Sequence, residues 1–146
     1  MEDIAELREK YLNHDFDENP FEVDAAKTVE FARLCGETAA RFLDKDHPDF
    51  QAPPTYICSL MGGRTTPEDF PRFGIGMDAG KGVERLKPIR PGVPLTGRTH
   101  LHDIYEKTGR SGRMVFLVSR IEFYDPEGVH VANSDTRIVM RERSGE

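Results

Sequence analysis

LTGRTHLHDIYEKTGRSGRMVFLVSRIEFYDPEGVHVANSDTRIVMRE, residues 95–142, is dense in β-branched and aromatic side chains and is broken by two turn signals. The first is Thr108-Gly109, and the second, Asp125-Pro126-Glu127-Gly128, is a hairpin loop. They divide the stretch into three long strands over 95–107, 113–125 and 129–142. On the middle strand Val115, Leu117, Ile121 and Phe123 share one face, while Arg120 and Glu122 take the other, because successive strand side chains alternate. Strands joined in this way form an antiparallel meander, and such a sheet needs an apolar cover on one face.

The first part of the chain supplies the cover. Residues 1–60 are rich in Ala, Glu, Asp and Leu and read as helical. Ile4, Leu7, Tyr11 and Leu12 form a stripe that predicts a helix over 2–13. Asn19-Pro20 interrupts the chain, and Phe21 and Val23 around Glu22 read as a short extended segment. Asp24 is placed to cap a helix from Ala25, which Gly36 ends, and a short helix comes next over 37–45. Residues 55–61 are apolar, but seven residues do not decide between helix and strand. Residues 62–82 read as a long glycine-rich loop and 83–89 as a short strand before the Pro91-Gly92 turn. Helices first and an antiparallel sheet afterwards define an α+β fold, with residues 1–20 as a helical extension and 21–146 as one domain.

Composition narrows the function. The chain has 146 residues, 37% hydrophobic and 32% charged, enough apolar content for a core. Its net charge of −6 argues against nucleic acid as the main partner. No run of 18 apolar residues and no signal-peptide stretch occurs, which leads to the expectation of a cytoplasmic protein with no membrane partner. Cys35 and Cys58 form neither a disulfide framework nor a zinc site, and both read as small buried hydrophobes. His100 and His102 share a strand face, half of a metal site, but Asp103 points away and no third ligand stands nearby. They read as two partly exposed polar strand residues. His14, His47 and His130 are isolated, so no metal and no cofactor is expected. Gly74-x-Gly76-x-x-x-Gly80-x-Gly82 matches no nucleotide fingerprint and reads as a flexible loop. Lys107-Thr108-Gly109-Arg110-Ser111-Gly112-Arg113 reads as a solvated hairpin connection whose amides and cations could hold phosphate.

Several of these pieces together resemble one family. Arg85-Leu86-Lys87-Pro88-Ile89-Arg90-Pro91-Gly92, Asp103-Ile104-Tyr105-Glu106-Lys107, Gly109-Arg110-Ser111-Gly112 and Met114-Val115-Phe116 stand in the order seen in MaoC-like dehydratases. Ala52-Pro53-Pro54-Thr55-Tyr56 and Tyr124-x-x-x-Gly128-x-x-x-Ala132 fit the same pattern, more narrowly that of the N-terminal, FAS1-like half. The resemblance implies a hot-dog fold, an antiparallel sheet wrapped around a helix, and acyl-thioester hydratase or dehydratase chemistry. Active members carry Gly-Asp-x-Asn-Pro-x-His after the first helix, and the matching stretch here is Gly36-Glu37-Thr38-Ala39-Ala40-Arg41-Phe42. Glu37 replaces the Asp, Ala39 the Asn, and Phe42 the His, and a phenyl ring can neither accept nor donate a proton.

The resemblance therefore implies a catalytically degenerate half. It would accommodate the substrate within a heteromeric enoyl-CoA hydratase, for bulky acyl groups such as steroid side chains. The partner would be a catalytically intact MaoC-like hot-dog subunit, and the ligand an acyl-CoA or acyl-carrier-protein thioester. Tyr56, Cys58 and Leu60 are expected either in ordinary core or along an acyl tunnel, and Lys107, Arg110 and Ser111 near the phosphates or pantetheine. The alternatives are a stand-alone hydratase or thioesterase working through Glu37, or an acyl-CoA binding and assembly module. An uncovered strand edge argues for a dimer or higher heteromer.

Overall fold

The structure is a computed structural model and describes residues 2–72 and 74–142. Residues 143–146 of the expected domain lie outside that range. In chain order come α1 (Ile4–Tyr11), β1 (Asp15–Phe21), α2 (Ala25–Leu34), α3 (Ala40–Leu43), a 3-10 helix (Pro54–Ser59), β2 (Ile75–Arg85), β3 (Leu95–Gly109), β4 (Gly112–Tyr124) and β5 (His130–Arg141). The strands form one sheet in the order β1-β3-β4-β5-β2, antiparallel throughout. The three long strands of the meander are β3, β4 and β5.

Each pair of neighbouring strands carries a register shift: between Asp15 and Asp17, Leu101 and Asp103, Asp78 and Gly80, and Phe123 and Tyr124. An extra residue on one strand bends it and increases its twist, so the sheet curls. Its inner face carries Leu101, Leu117, Phe123 and Ala132, each fully buried. One apolar cluster gathers Val23, Ile57, Ile89, Leu95 and Phe123. The other gathers Leu7, Tyr11, Phe70, Leu101, Ile104, Val115 and Leu117. Leu7 and Tyr11, four apart on α1, bring that helix onto the sheet, and the rings of Tyr11 and Phe70 meet edge to face at 4.9 Å.

Local chemistry accounts for the element ends. Asp3 caps α1 by accepting from the Ala5 amide, and Asp24 caps α2 by accepting from the Lys27 amide at 2.8 Å. Past α2, Gly36 takes φ +77° and donates to the Arg33 carbonyl, while Glu37 donates to that of Ala32. That pair of bonds is a Schellman cap, and its positive φ favours glycine. Ala39 stands at the N-cap of α3 with no side-chain oxygen to offer, and α3 is one turn, not the helix expected over 37–45.

Other expectations also change. Residues 75–82 are strand, not loop: pairing with β5 supplies the ladder bonds that their glycines do not favour by propensity. The short strand expected over 83–89 is the end of this same β2, which stops at Arg85. Residues 15–20, expected within a helical extension, lie in β1, so the helical reading holds there for Ile4–Tyr11 alone. Pro20 does not break the strand because β1 pairs on one side with β3 and is an edge, where a missing N–H is tolerated. The segment 55–61 lies largely in the 3-10 helix, and this is the helix lying against β2 and β5. Cys35 is exposed at the C-cap of α2 and not a buried hydrophobe.

A strap over residues 61–65 crosses the inner face after the 3-10 helix. The Asp17 carboxylate accepts from the Arg64 amide at 2.6 Å and from the Asn19 side chain at 2.9 Å. At Gly63 (φ +76°) a Cβ would lie 1.9 Å from that carboxylate, so the strap closes only with glycine there. The Arg64 amide is the chief cause holding the Asp17 carboxyl below its ordinary 3.8.

Phe123→Ala should destabilise the fold by about 3–5 kcal/mol in a denaturant titration, because its ring is fully buried. A depressed folded pKa means the Asp17 clamp contributes fully above pH 3.8 and is lost as the pH falls further. The protection of the Arg64 amide from hydrogen exchange, relative to its intrinsic rate at each pH, should therefore fall in acid. Asp17→Ala should produce the same loss of protection, roughly tenfold or more, at neutral pH.

Candidate functional site

The stretch 36–42 begins on the Schellman turn and runs into α3. The turn is made by main-chain bonds, so it holds position 37 just beyond the end of α2 whatever side chain stands there. Among the described residues no hydrogen bond or ion pair reaches the Glu37 carboxylate. Phe42 points into the protein at 6% exposure, with the Arg41 guanidinium 4.7 Å above its ring. The nearest histidine in sequence, His47, is engaged elsewhere: its Nδ1 accepts from the Asp49 amide at 3.0 Å, which leaves its proton on Nε2.

A cavity of about 270 Å³ opens between the sheet and the strap. Its walls are Cys58, Leu60, Met61 and Ile121, and its rim is Gly62, Gly63, Arg64 and Thr65. Thr99, Ser119, Ser134 and Thr136 from β3, β4 and β5, with Lys81 from β2, complete it. The pairing sets Thr99, Ile121 and Ser134 in one row across β3, β4 and β5, and Ser119, Thr136 and Lys81 in the next row across β4, β5 and β2, so these residues form a belt across the inner face. The belt separates the two apolar clusters. Lys81 Nζ donates to the Thr136 hydroxyl at 2.9 Å. Burial pushes the Cys58 thiol above its usual pKa while Lys81 pulls it down, and burial prevails, which leaves a poor nucleophile.

The expected binding residues fall in separate places. Cys58 and Leu60 line the cavity. Tyr56 turns toward Phe31, 5.5 Å from its ring, and with Leu60 lines a shallower groove along α2. Lys107, Arg110 and Ser111 lie at the β3–β4 hairpin, and Lys107 rests over the stacked Tyr105 and Phe116 rings. Thr99 is eight residues back along β3, about 25 Å away, so the hairpin and the cavity are not one site. His100 and His102 touch through their rings at 3.2 Å, but the bulge makes His102 the extra residue and carries Asp103 to Arg8 at 2.8 Å. His100 is buried rather than partly exposed, and burial lowers its pKa. Among the described residues no group of His, Cys, Asp and Glu could hold a metal ion.

Sequence reading misses Lys81 because it assigns that residue to a loop. It misses Thr99, Ser119, Ser134 and Thr136 because hydroxyls on strands are unremarkable until their parity is noticed. Each occupies an inward position where the pattern demands an apolar side chain.

Comparison with known proteins gives the lineage. The chain is 29% identical over 135 residues to a UPF0336 protein of Streptomyces coelicolor, covering 84% of this chain and 86% of that one. A MaoC-like dehydratase from Phytophthora capsici superposes with a TM-score of 0.68 at 22% identity over 94% of this chain, which spans 50% of that protein. The ChsH1-ChsH2 complex from Mycobacterium tuberculosis superposes at 0.69 and 17% identity, over 98% of this chain and 91% of that one. The HadBC (3R-hydroxyacyl-ACP dehydratase) complex of the same organism superposes at 0.63 and 18%, over 88% and 99%. These likenesses identify the five-stranded sheet and its helices as a hot-dog fold. The family described as the FAS1-like dehydratase domain region matches residues 11–134, and with that span covering most of its length the chain belongs to this family.

Proposed function

We propose that this chain is a substrate-accommodating subunit of an enoyl-thioester hydratase or dehydratase, and that the catalytic groups come from a partner hot-dog chain. Hydration of an enoyl thioester needs a base to take a proton from water as its oxygen bonds to Cβ, and a proton delivered to Cα. It also needs N–H donors for the charge that builds on the thioester oxygen. A carboxylate and an imidazole close together do the proton work in the intact motif. The observation that carries the reading is Phe42: at the position that the resemblance assigns to the imidazole, this chain has a buried phenyl ring. Glu37 alone, with no described partner, has nothing to pass a proton to. That two of the structural neighbours are complexes of differently named chains supports assembly with a partner. The ligand class in this reading is an acyl-CoA or acyl-carrier-protein thioester, and a bulky acyl group such as a steroid side chain is its most specific form. No described helix is long and apolar enough to cross a membrane, and the cytoplasm is the compartment this reading assumes.

The test is loss of enoyl-thioester absorbance with this chain alone and mixed with intact MaoC-like partners. Activity should appear in the mixture, vanish when the partner's Asp or His is substituted, and change less than about twofold with Glu37→Gln here. Robust turnover by this chain alone would overturn the reading. Phe42→His in this chain should create no activity by itself, since position 39 also lacks the polar side chain of the intact motif. It should lower stability by roughly 1–3 kcal/mol, because it buries a polar ring with no partner.

A further inference from the structure

We propose that the cavity behind the strap is a binding site for an acceptor oxygen at the end of an apolar chain, a carboxylate or a carbonyl. Thr99, Ser119 and Ser134 are 2%, 3% and 6% exposed, yet among the described residues none of their hydroxyls has a hydrogen-bond partner. Among those residues no fully buried side-chain nitrogen or oxygen is unsatisfied, so these hydroxyls face the cavity they line. A hydroxyl in such a place is disfavoured if it is left dry and unbonded. Inward strand positions normally hold the apolar side chains that this chain uses just above and below the belt. A row of free hydroxyls between two apolar clusters is the arrangement of a polar subsite, not of a core.

The charges select the ligand. Lys81 spends one of its N–H donors on Thr136, which leaves two, whereas Arg64 at the rim has its guanidinium paired with Glu68 at 3.4 Å, so Lys81 is the cation the cavity offers. Among the described residues no carboxylate lines the cavity: Asp17 is committed to the Arg64 amide and Asn19, and Glu68 to the Arg64 guanidinium. Donors therefore outnumber fixed acceptors, and a cation has nothing to meet it. Leu60, Met61, Cys58 and Ile121 supply apolar walls for the chain behind the oxygen. Met61, 63% exposed, stands where that chain would enter. Built on the acyl-thioester reading, this site would hold the distal oxygen of an oxygenated acyl group, remote from the reacting carbons.

The experiment uses the whole chain with octanoate, 2-octanone and octylammonium, and reads amide shifts in two-dimensional NMR titrations. Octanoate and 2-octanone should bind with shifts centred on Thr99, Ser119, Ser134 and Lys81, and octylammonium should bind at least tenfold more weakly. Lys81→Met should weaken octanoate roughly tenfold, the size of one charge-assisted hydrogen bond, and 2-octanone less. Thr99→Val with Ser119→Ala should weaken both; Lys81 is exposed and Thr99→Val nearly isosteric, so both variants should fold. Tightest binding of octanoate identifies the carboxylate as the preferred source of the oxygen, and tightest binding of 2-octanone the carbonyl. Equal binding of octylammonium, shifts centred elsewhere, or no shift with either acceptor would overturn the proposal. None of the probes is a thioester, so such a failure would strike this cavity and leave the subunit reading to the mixed hydration assay.

Discussion

The inner face of a curled antiparallel sheet must be covered, and this chain covers it with little helix. The longest described helix, α2, has ten residues, and the segment against β2 and β5 is a six-residue 3-10 helix followed by an irregular strap. Irregular backbone leaves amides that need partners. The Asp17 carboxylate supplies one by accepting from Arg64, and the requirement for glycine at 63 arises from how close that carboxylate comes. Most other features descend from this economy of cover. The two apolar clusters are where side chains from α1, the 3-10 helix and the loops reach the sheet. The hydroxyl belt is where they do not.

The sheet is largely legible in the amino-acid order alone. Period-2 alternation on β4 and the turn at Asp125–Gly128 announce long strands, and the burial of Val115, Leu117 and Phe123 matches the face that alternation assigns to them. The two edges are not legible. β1 reads Asp-Phe-Asp-Glu-Asn-Pro-Phe, and β2 is interrupted by glycines; neither has the composition of a strand. Both owe their conformation to a neighbour whose ladder bonds outweigh local preference, and pairing partners distant in sequence leave no local mark. Bulges are invisible for the same reason, so two histidines two residues apart look as if they stood on an unbroken strand.

The site divides in the same way. The turn carrying Glu37 can be read from Gly36 and the helix before it, because it is local, whereas a replacement at Phe42 is implied by the resemblance alone. Cys58 and Leu60 stand out in an apolar segment, but what they face depends on β2, whose glycines disguise it as loop. Lys107, Arg110 and Ser111 look like a phosphate cradle in one dimension because the hairpin tip is basic and glycine-punctuated; only in three dimensions does it emerge that this tip lies at the far end of β3 from the cavity.

The cap after α2 has a wider consequence. Its hydrogen bonds run between main-chain atoms of Ala32, Arg33, Gly36 and Glu37, and only the glycine is demanded by conformation. The fold thus anchors this bend without consulting the side chains that would carry out chemistry on it. Architecture and reactivity are written on separate atoms there, so a lineage can exchange one while inheriting the other intact. A scaffold wired in this manner is free to be duplicated and to divide labour between copies, one keeping the reactive groups and the other adapting its interior to the guest.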